Sequence, residues 1–242
     1  MRTYATAQLI GDRSHQCDAT ATAAGPDGTR AFVLLDGIGS TDEVRDWTRT
    51  AARKLARSAA YHGDAETGLR AQYERYAADP DRQGPWGFGP KACAVVAVAT
   101  DRWLTVAWCG DTRAYLMVRG TVLRLTADHN LRRVFPPNDI HGGGNRNIVT
   151  SCLGNTDTDQ DVKNQYGHPA IETTTRHLED SRLLLASDGA YEPLEDSQRN
   201  LADYLTGDPG PTARGFVQAA IDHAGFRADN ATVLVADLIT TN

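Results

Sequence analysis

The chain has 242 residues, of which 40% are hydrophobic and 23% charged, enough to bury one sizeable core or two small ones. Its net charge of −6 argues against a nucleic-acid partner, because that affinity comes from concentrated Lys and Arg. The first residues, Met1-Arg2-Thr3-Tyr4-Ala5-Thr6-Ala7, hold no signal-like apolar stretch, and the longest apolar run, 92–99, is too short to span a bilayer, so a cytoplasmic protein with no membrane partner is expected.

Residues 3–10 and 19–24 read as strands, and 30–35 as a stronger one introduced by Gly25-Pro26-Asp27-Gly28, whose Asp27-Gly28 pair suits a hairpin turn. Over 41–60, Val44, Trp47, Ala51, Leu55 and Ala59 recur at helical spacing and form one apolar face. Asp42 and Glu43 at its start and Arg53, Lys54 and Arg57 toward its end complement the helix dipole, and these basic residues read as its solvated side. A second helix is predicted over 65–78, followed by a Gly/Pro loop at 84–90. Strands follow at 93–100, 103–109, 114–119 and 121–125, with a tight turn at Arg119-Gly120; such close spacing implies antiparallel pairing.

Residues 127–147 hold Pro136-Pro137 and Gly142-Gly143-Gly144 and suit a surface loop. Strands are predicted again at 148–152, 171–177 and 182–186. Residues 156–161 read as a solvated acidic loop, since the Gly and Glu of a calcium loop are missing. Helical segments at 197–205 and 212–224 and a strand at 232–238 complete the order. With no linker and no internal repeat, 1–242 reads as one domain of antiparallel sheets covered by helices.

Three aspartates stand at the ends of apolar runs: Asp36 after Val33-Leu34-Leu35, Asp188 after Leu183-Leu184-Leu185-Ala186-Ser187, and Asp229 before Asn230-Ala231-Thr232-Val233. Carboxylates carried to one rim repel each other unless a cation lies between them. Gly37 and Gly189 would let backbone approach an ion, and the Gly37 carbonyl is itself a candidate ligand. Each Asp-Gly pair alone reads as a turn, and so does Gly110-Asp111-Thr112-Arg113. Arg13, near Cys17 and Asp18, has the planar fork that suits phosphate oxygens, a surface arginine being the plainer alternative. Cys17, Cys93, Cys109 and Cys152 form no Cys-x-x-Cys pair and read as reduced, buried thiols.

Taken in order, Arg13-x-x-Gln16-Cys17-Asp18, Leu35-Asp36-Gly37-Ile38-Gly39, Gly110-Asp111-Thr112-Arg113-Ala114-Tyr115-Leu116, Leu125-Thr126-Ala127-Asp128-His129, Leu153-Gly154, Ser187-Asp188-Gly189 and Asp229-Asn230-Ala231-Thr232-Val233 resemble the metal-dependent protein phosphatases of the 2C type in their compact bacterial form. The resemblance spans about residues 9–238. It implies an α+β fold, a four-layer αββα sandwich of two antiparallel sheets flanked by pairs of antiparallel helices. It also implies a serine/threonine protein phosphatase that hydrolyses phosphoserine and phosphothreonine by attack of a water activated by two Mn²⁺ or Mg²⁺ ions. Carried over residue by residue, Asp36 bridges the two metals and the Gly37 carbonyl binds one. Asp188 and Asp229 hold the other, Asp18 orients a metal-bound water, Asp111 serves a third, weaker site, and Arg13 grips the substrate phosphate. The implied partner is a phosphorylated protein, and a monomer is expected.

The chain departs from the pattern at Cys17, where members carry Glu or Gln, and at Ile38, where some carry a histidine. Pro90-Lys91-Ala92 replaces a pair of threonines, and the segment 129–147, the family's substrate-side flap, is shortened. Cys17 and the short flap keep a second reading open: a pseudophosphatase or phosphoprotein-binding module with the same fold and weak turnover. Retention of Asp36, Asp188, Asp229 and Arg13 favours the enzyme.

Overall fold

A computed structural model describes residues 3–84 and 87–239. In chain order the elements are β1 (Tyr4–Leu9), β2 (Ala19–Ala24), β3 (Arg30–Gly37), α1 (Asp42–His62), α2 (Ala65–Ala77), β4 (Ala92–Ala99), β5 (Trp103–Cys109), β6 (Arg113–Val118) and β7 (Thr121–Arg124). There follow α3 (Leu131–Val134), α4 (Asp159–Tyr166), β8 (Glu172–His177), β9 (Ser181–Ala186), α5 (Asp188–Asp196), α6 (Pro209–His223) and β10 (Ala231–Leu238).

The side-chain alternation of the strands sets the layers. In β3, Val33 and Leu35 turn to one core with Ala51, Leu55 and Leu69 of α1 and α2, while Phe32 and Leu34 turn to a second with Leu185 and Leu234 of the other sheet. Central strands buried on both faces read as unbroken apolar runs, which is why an aspartate at their ends is conspicuous. A third core packs Leu184, Val233 and Val235 against Tyr191, Leu194, Phe216 and Val217 of α5 and α6. The result is two five-stranded antiparallel sheets, ordered β2-β3-β4-β5-β8 and β1-β10-β9-β6-β7, between two helical layers. This is the αββα sandwich expected from the sequence. Among the described residues no helix is long and apolar enough to cross a membrane.

Helix ends are set by local chemistry. Thr41 caps α1 by accepting from the Val44 amide, and Asp64 caps α2 by accepting from the Thr67 amide. α1 and α2 cross where Gly68 meets Ala59: a Cβ on Gly68 would lie 2.4 Å from the Ala59 Cα. Helix propensity alone would make Gly68→Ala stabilising by about 1 kcal/mol. The backbone contact reverses the sign. Gly68→Ala is expected to lower the free energy of unfolding by about 1–3 kcal/mol, the usual cost of overpacking. A urea titration reads this directly, and an unchanged or raised midpoint would refute the close-packing account.

Three local expectations are corrected. Residues 148–152 are not a ladder strand: Thr150 bonds the His129 carbonyl, Asn130 bridges Val149, and the Thr150 and Ser151 hydroxyls engage His168 and the Ala170 carbonyl. Residues 156–161 are not simply a loop, because Thr158 and Asp161 form a reciprocal capping box that opens α4. The helix predicted over 197–205 shrinks to one 3-10 turn, Leu201–Tyr204, where the Asn200 side chain takes the Ala202 amide. The helix in this region is instead α5, which starts on Asp188 itself. The Asp27-Gly28 expectation holds in outline, with a 3-10 turn, Pro26–Gly28, joining β2 to β3.

Candidate active site

The two sheets bring acids from separate stretches of chain to one end of the sandwich. Asp36 is the penultimate residue of β3, opposite Cys93 of β4. Asp18 immediately precedes β2, whose Ala19 pairs with Leu35, so it stands on the strand next to Asp36. In the other sheet β9 and β10 are neighbours with Ala186 opposite Val233, and this register sets Asp188 beside Asp229. Asp111 lies in the crossover from β5 in one sheet to β6 in the other. Backbone crowding dictates the glycine after two of these acids. A Cβ on Gly37 would lie 2.6 Å from the Cys17 carbonyl oxygen, and one on Gly189 would lie 2.4 Å from the Asn230 carbonyl oxygen.

Arg13, Asp36, Gly37, Asp111, Asp188 and Asp229 all line one cleft of about 420 Å³. Asp18 is the exception among the predicted residues. It is buried behind the cleft, 2% exposed, with one carboxylate oxygen, Oδ2, lacking any protein partner. Three amides hold its strand end: the Gln16 side chain accepts from the Asp18 amide (3.1 Å), the Gln8 side chain donates to the Asp18 carbonyl (3.1 Å), and Asn230 Oδ1 accepts from the Cys17 amide (2.8 Å). Asn230 thereby ties the β10 end to the β2 end, a positioning role that a sequence turn reading of Asp229-Asn230 does not reveal.

Burial and mutual repulsion dominate the electrostatics. Burial, reinforced by Asp188 and Asp229 and opposed by the Thr232 hydroxyl, pushes the Asp18 carboxyl up to about 8. Burial and then Asp188 raise Asp111 to about 7. Asp36 is pushed well above the usual carboxylate range by burial and by Asp188, Asp18, Asp111 and Asp229. Asp188 is raised by burial and by Asp229. Arg13 pairs with Asp229 through one guanidinium nitrogen.

All candidate donors are oxygens, as hard Mg²⁺ or Mn²⁺ prefers, and a buried carboxylate oxygen without a partner is costly unless a cation or water meets it. Among the described residues no three His, Cys, Asp or Glu side chains are already closed around one point. The acids share a cleft and a field, and the residues fit divalent ions.

The cleft also contains groups that motif reading missed. Glu192, one turn after Asp188 on α5, is raised to about 8 by burial and then by Asp188. Arg146, from the segment 129–147, reaches Glu192 at 3.1 Å and Asp196 at 2.7 Å. Their shared location depends on how 129–147 folds back onto α5, which no local pattern encodes. Cys17 does not enter the cleft. Its thiol points to the Thr41 carbonyl (3.7 Å), and burial pushes it up, so it is a packed thiol. All four cysteines are free and buried, as the sequence suggested.

Fold and site together define an α+β sandwich with a carboxylate-floored cleft at the ends of its sheets. The family model for protein phosphatase 2C matches residues 8–134. The chain is 28% identical over 169 residues to "Probable protein phosphatase 2C 24" of Arabidopsis thaliana, covering 66% of this chain and 43% of that protein. A bacterial serine phosphatase structure superposes with a TM-score of 0.74 at 19% identity over 100% of both chains. The catalytic domain of the serine/threonine protein phosphatase PstP, solved in complex with two manganese ions, superposes with a TM-score of 0.64 at 20% identity over 98% of this chain and 97% of that one. The chain belongs to the protein phosphatase 2C family. It spans about half the length of the curated relatives it matches.

Proposed function

We propose that this chain is a metal-dependent phosphoserine/phosphothreonine protein phosphatase. The observation that carries the reading is the convergence of Asp36, Asp111, Asp188 and Asp229 on one cleft with Arg13, backed by the unpartnered oxygen of Asp18. The manganese-bound structural relative supports the same cofactor class here.

Asp36 with the Gly37 carbonyl, Asp188 and Asp229 are the residues that would hold two divalent ions, Mn²⁺ or Mg²⁺, and Asp111 would hold a third, weaker one. When bound, such ions supply positive charge that acidifies water and neutralises phosphoryl oxygens. The protein's own part is positioning. Asp18, fixed by Gln16, Gln8 and Asn230, keeps a buried, unpartnered carboxylate oxygen behind the cleft, where it would orient water held by the ions. Arg13 uses one nitrogen on Asp229, and its half-exposed fork presents further N–H groups to a phosphate oxygen. The net reaction breaks the ester P–O bond, water supplying the oxygen on phosphorus and the proton that ends on the serine or threonine hydroxyl. Ile38, 43% exposed at the cleft, brings no proton donor to that leaving oxygen.

Turnover of p-nitrophenyl phosphate and of a phosphothreonine peptide, each with Mn²⁺ and with excess EDTA, tests this. Both substrates should be hydrolysed with Mn²⁺ and neither with EDTA. Activity indifferent to EDTA would refute the metal assignment, and no turnover with Mn²⁺ would refute the enzyme in favour of a binding module.

A further inference from the structure

Three arginines line the cleft: Arg13, Arg146 and Arg227. Two are occupied, Arg13 by Asp229 and Arg146 by Glu192 and Asp196. The third is not: among the described residues Arg227 forms no ion pair, and its guanidinium rests 5.2 Å from the centre of the Phe226 ring. Phe226 is itself 89% exposed. Beside them on the cleft wall is His223, at the end of α6. Its Nδ1 meets the Ala219 carbonyl at 2.8 Å and its Nε2 receives the Nε–H of Arg199 at 3.1 Å. Arg199 also has no carboxylate partner among the described residues. A protein of net charge −6, whose other cleft arginines are all paired, thus keeps at this rim one arginine with no carboxylate partner, Arg227, with the exposed Phe226 ring next to it and Arg199 tied to the cleft wall through His223.

The backbone points the same way. Arg227 adopts φ +66°, a left-handed conformation that side-chain-bearing residues rarely take. Non-glycine residues in that region persist where surrounding structure imposes them, and they cluster at ligand-contacting positions. Here the turn lies between α6 and Asp229, and Arg227 lines the cleft.

The geometry points to a second substrate subsite: Arg227, with Phe226 and the Arg199–His223 pair, receives an anionic side chain flanking the phosphoresidue. This rests on the phosphatase reading and adds its preferred substrate class. The scissile phosphate belongs at the acidic floor with Arg13, so a cation on the exposed rim meets the flanking peptide instead. The flanking anion is a carboxylate or a second phosphate, either of which pairs with a guanidinium fork. Phe226 supplies an apolar face for the peptide stem.

The test compares kcat/KM for three phosphothreonine peptides of matched length: neutral flanks, Asp/Glu flanks, and an adjacent second phosphothreonine. Wild type should prefer one or both anionic peptides over the neutral one by about threefold to fivefold, the range an exposed ion pair commands. The preference should lie in KM and fade with added salt. Which anionic peptide leads identifies the source. Arg227→Ala should bring the ratio close to one, and Arg227→Lys should keep part of it. No preference in wild type, a preference that survives Arg227→Ala, or an equal fall on neutral and anionic peptides would each overturn the subsite. Fluorescence anisotropy of the labelled anionic peptides on wild type and Arg227→Ala separates the two readings. If no peptide is hydrolysed, the phosphatase reading fails, while a selective loss of binding in Arg227→Ala would still support the subsite and unchanged binding would sink it.

Discussion

Asp36→Asn is expected to lower kcat on a phosphothreonine peptide with saturating Mn²⁺ by at least about 10²-fold, the scale of losing one preorganised electrostatic group. The substitution is nearly isosteric, so the end of β3 and its pairing with Cys93 should survive. What changes is charge. Burial opposes the ionisation of Asp36, and Asp188, Asp18, Asp111 and Asp229 add their repulsion. Replacing it by a neutral amide removes the cost of holding an ionisable carboxyl in that buried, repulsive site in the metal-free protein. Loss of activity should therefore come with an unchanged or higher denaturation midpoint in EDTA, the signature of a site whose charges are kept for function at a cost in stability. Asp188→Asn should behave likewise, being raised by burial and by Asp229. Activity within about tenfold of wild type, outside the range of such losses, would contradict the assigned role of Asp36. A large fall in the midpoint would contradict the repulsion argument instead.

The largest stability effect away from the cleft is expected at Arg113. Its guanidinium, 8% exposed, makes two bonds to Asp128 (2.8 and 2.7 Å), one to Glu195 (2.7 Å) and one to the Tyr115 hydroxyl (3.0 Å). It also lies 3.7 Å from the centre of the Tyr191 ring. Arg113→Ala removes all of these at once and leaves Asp128, 14% exposed, with Arg124 as its remaining partner. Breaking a buried pair by deleting one member costs about 3–5 kcal/mol, and the surviving Arg124 places this case near 3 kcal/mol. Arg113→Lys should fall between, since an ammonium cannot reproduce the fork. Urea unfolding at constant m-value checks this, and a loss under about 1 kcal/mol, the value of an exposed pair, would show that the network does not act as a buried one. Because Tyr191 donates its hydroxyl to the Asp111 carbonyl at 3.0 Å, part of the damage should reach the cleft.

The legible parts of this chain were those in which one strong local signal agrees with tertiary burial. β3, β4, β9 and β10 are apolar because both faces are covered, and α1 shows a clean stripe because only one of its faces is. The acids at their ends could be picked out against that background, and the sheet register then gathers them. Where side-chain hydrogen bonds replace ladder bonds, pattern reading failed: Thr150 and Ser151 are β-compatible residues spent on His168 and the Ala170 carbonyl. The α5 helix was masked by an apolar strand running directly into it and by Pro193 within it. In the site, Asp18 could be named from its motif, but its burial behind the cleft could not. Glu192, Arg146 and Arg227 carry no motif, and only the return of distant segments to one rim makes them neighbours.

The division of the acids between sheets gives the central core a metrological duty. Asp36 travels with one sheet, Asp188 and Asp229 with the other, and the thickness of the Leu34, Val95, Leu185 and Leu234 layer is the spacer that sets their separation. Close-packed interiors transmit volume changes, and misplacing reacting groups by about 1 Å can cost about 10²-fold in rate. The interior of this sandwich is therefore a calliper. Drift in its side-chain volumes is recorded at the cleft mouth, whereas the rim segments around Arg146 and Arg227 can diversify without disturbing the gauge.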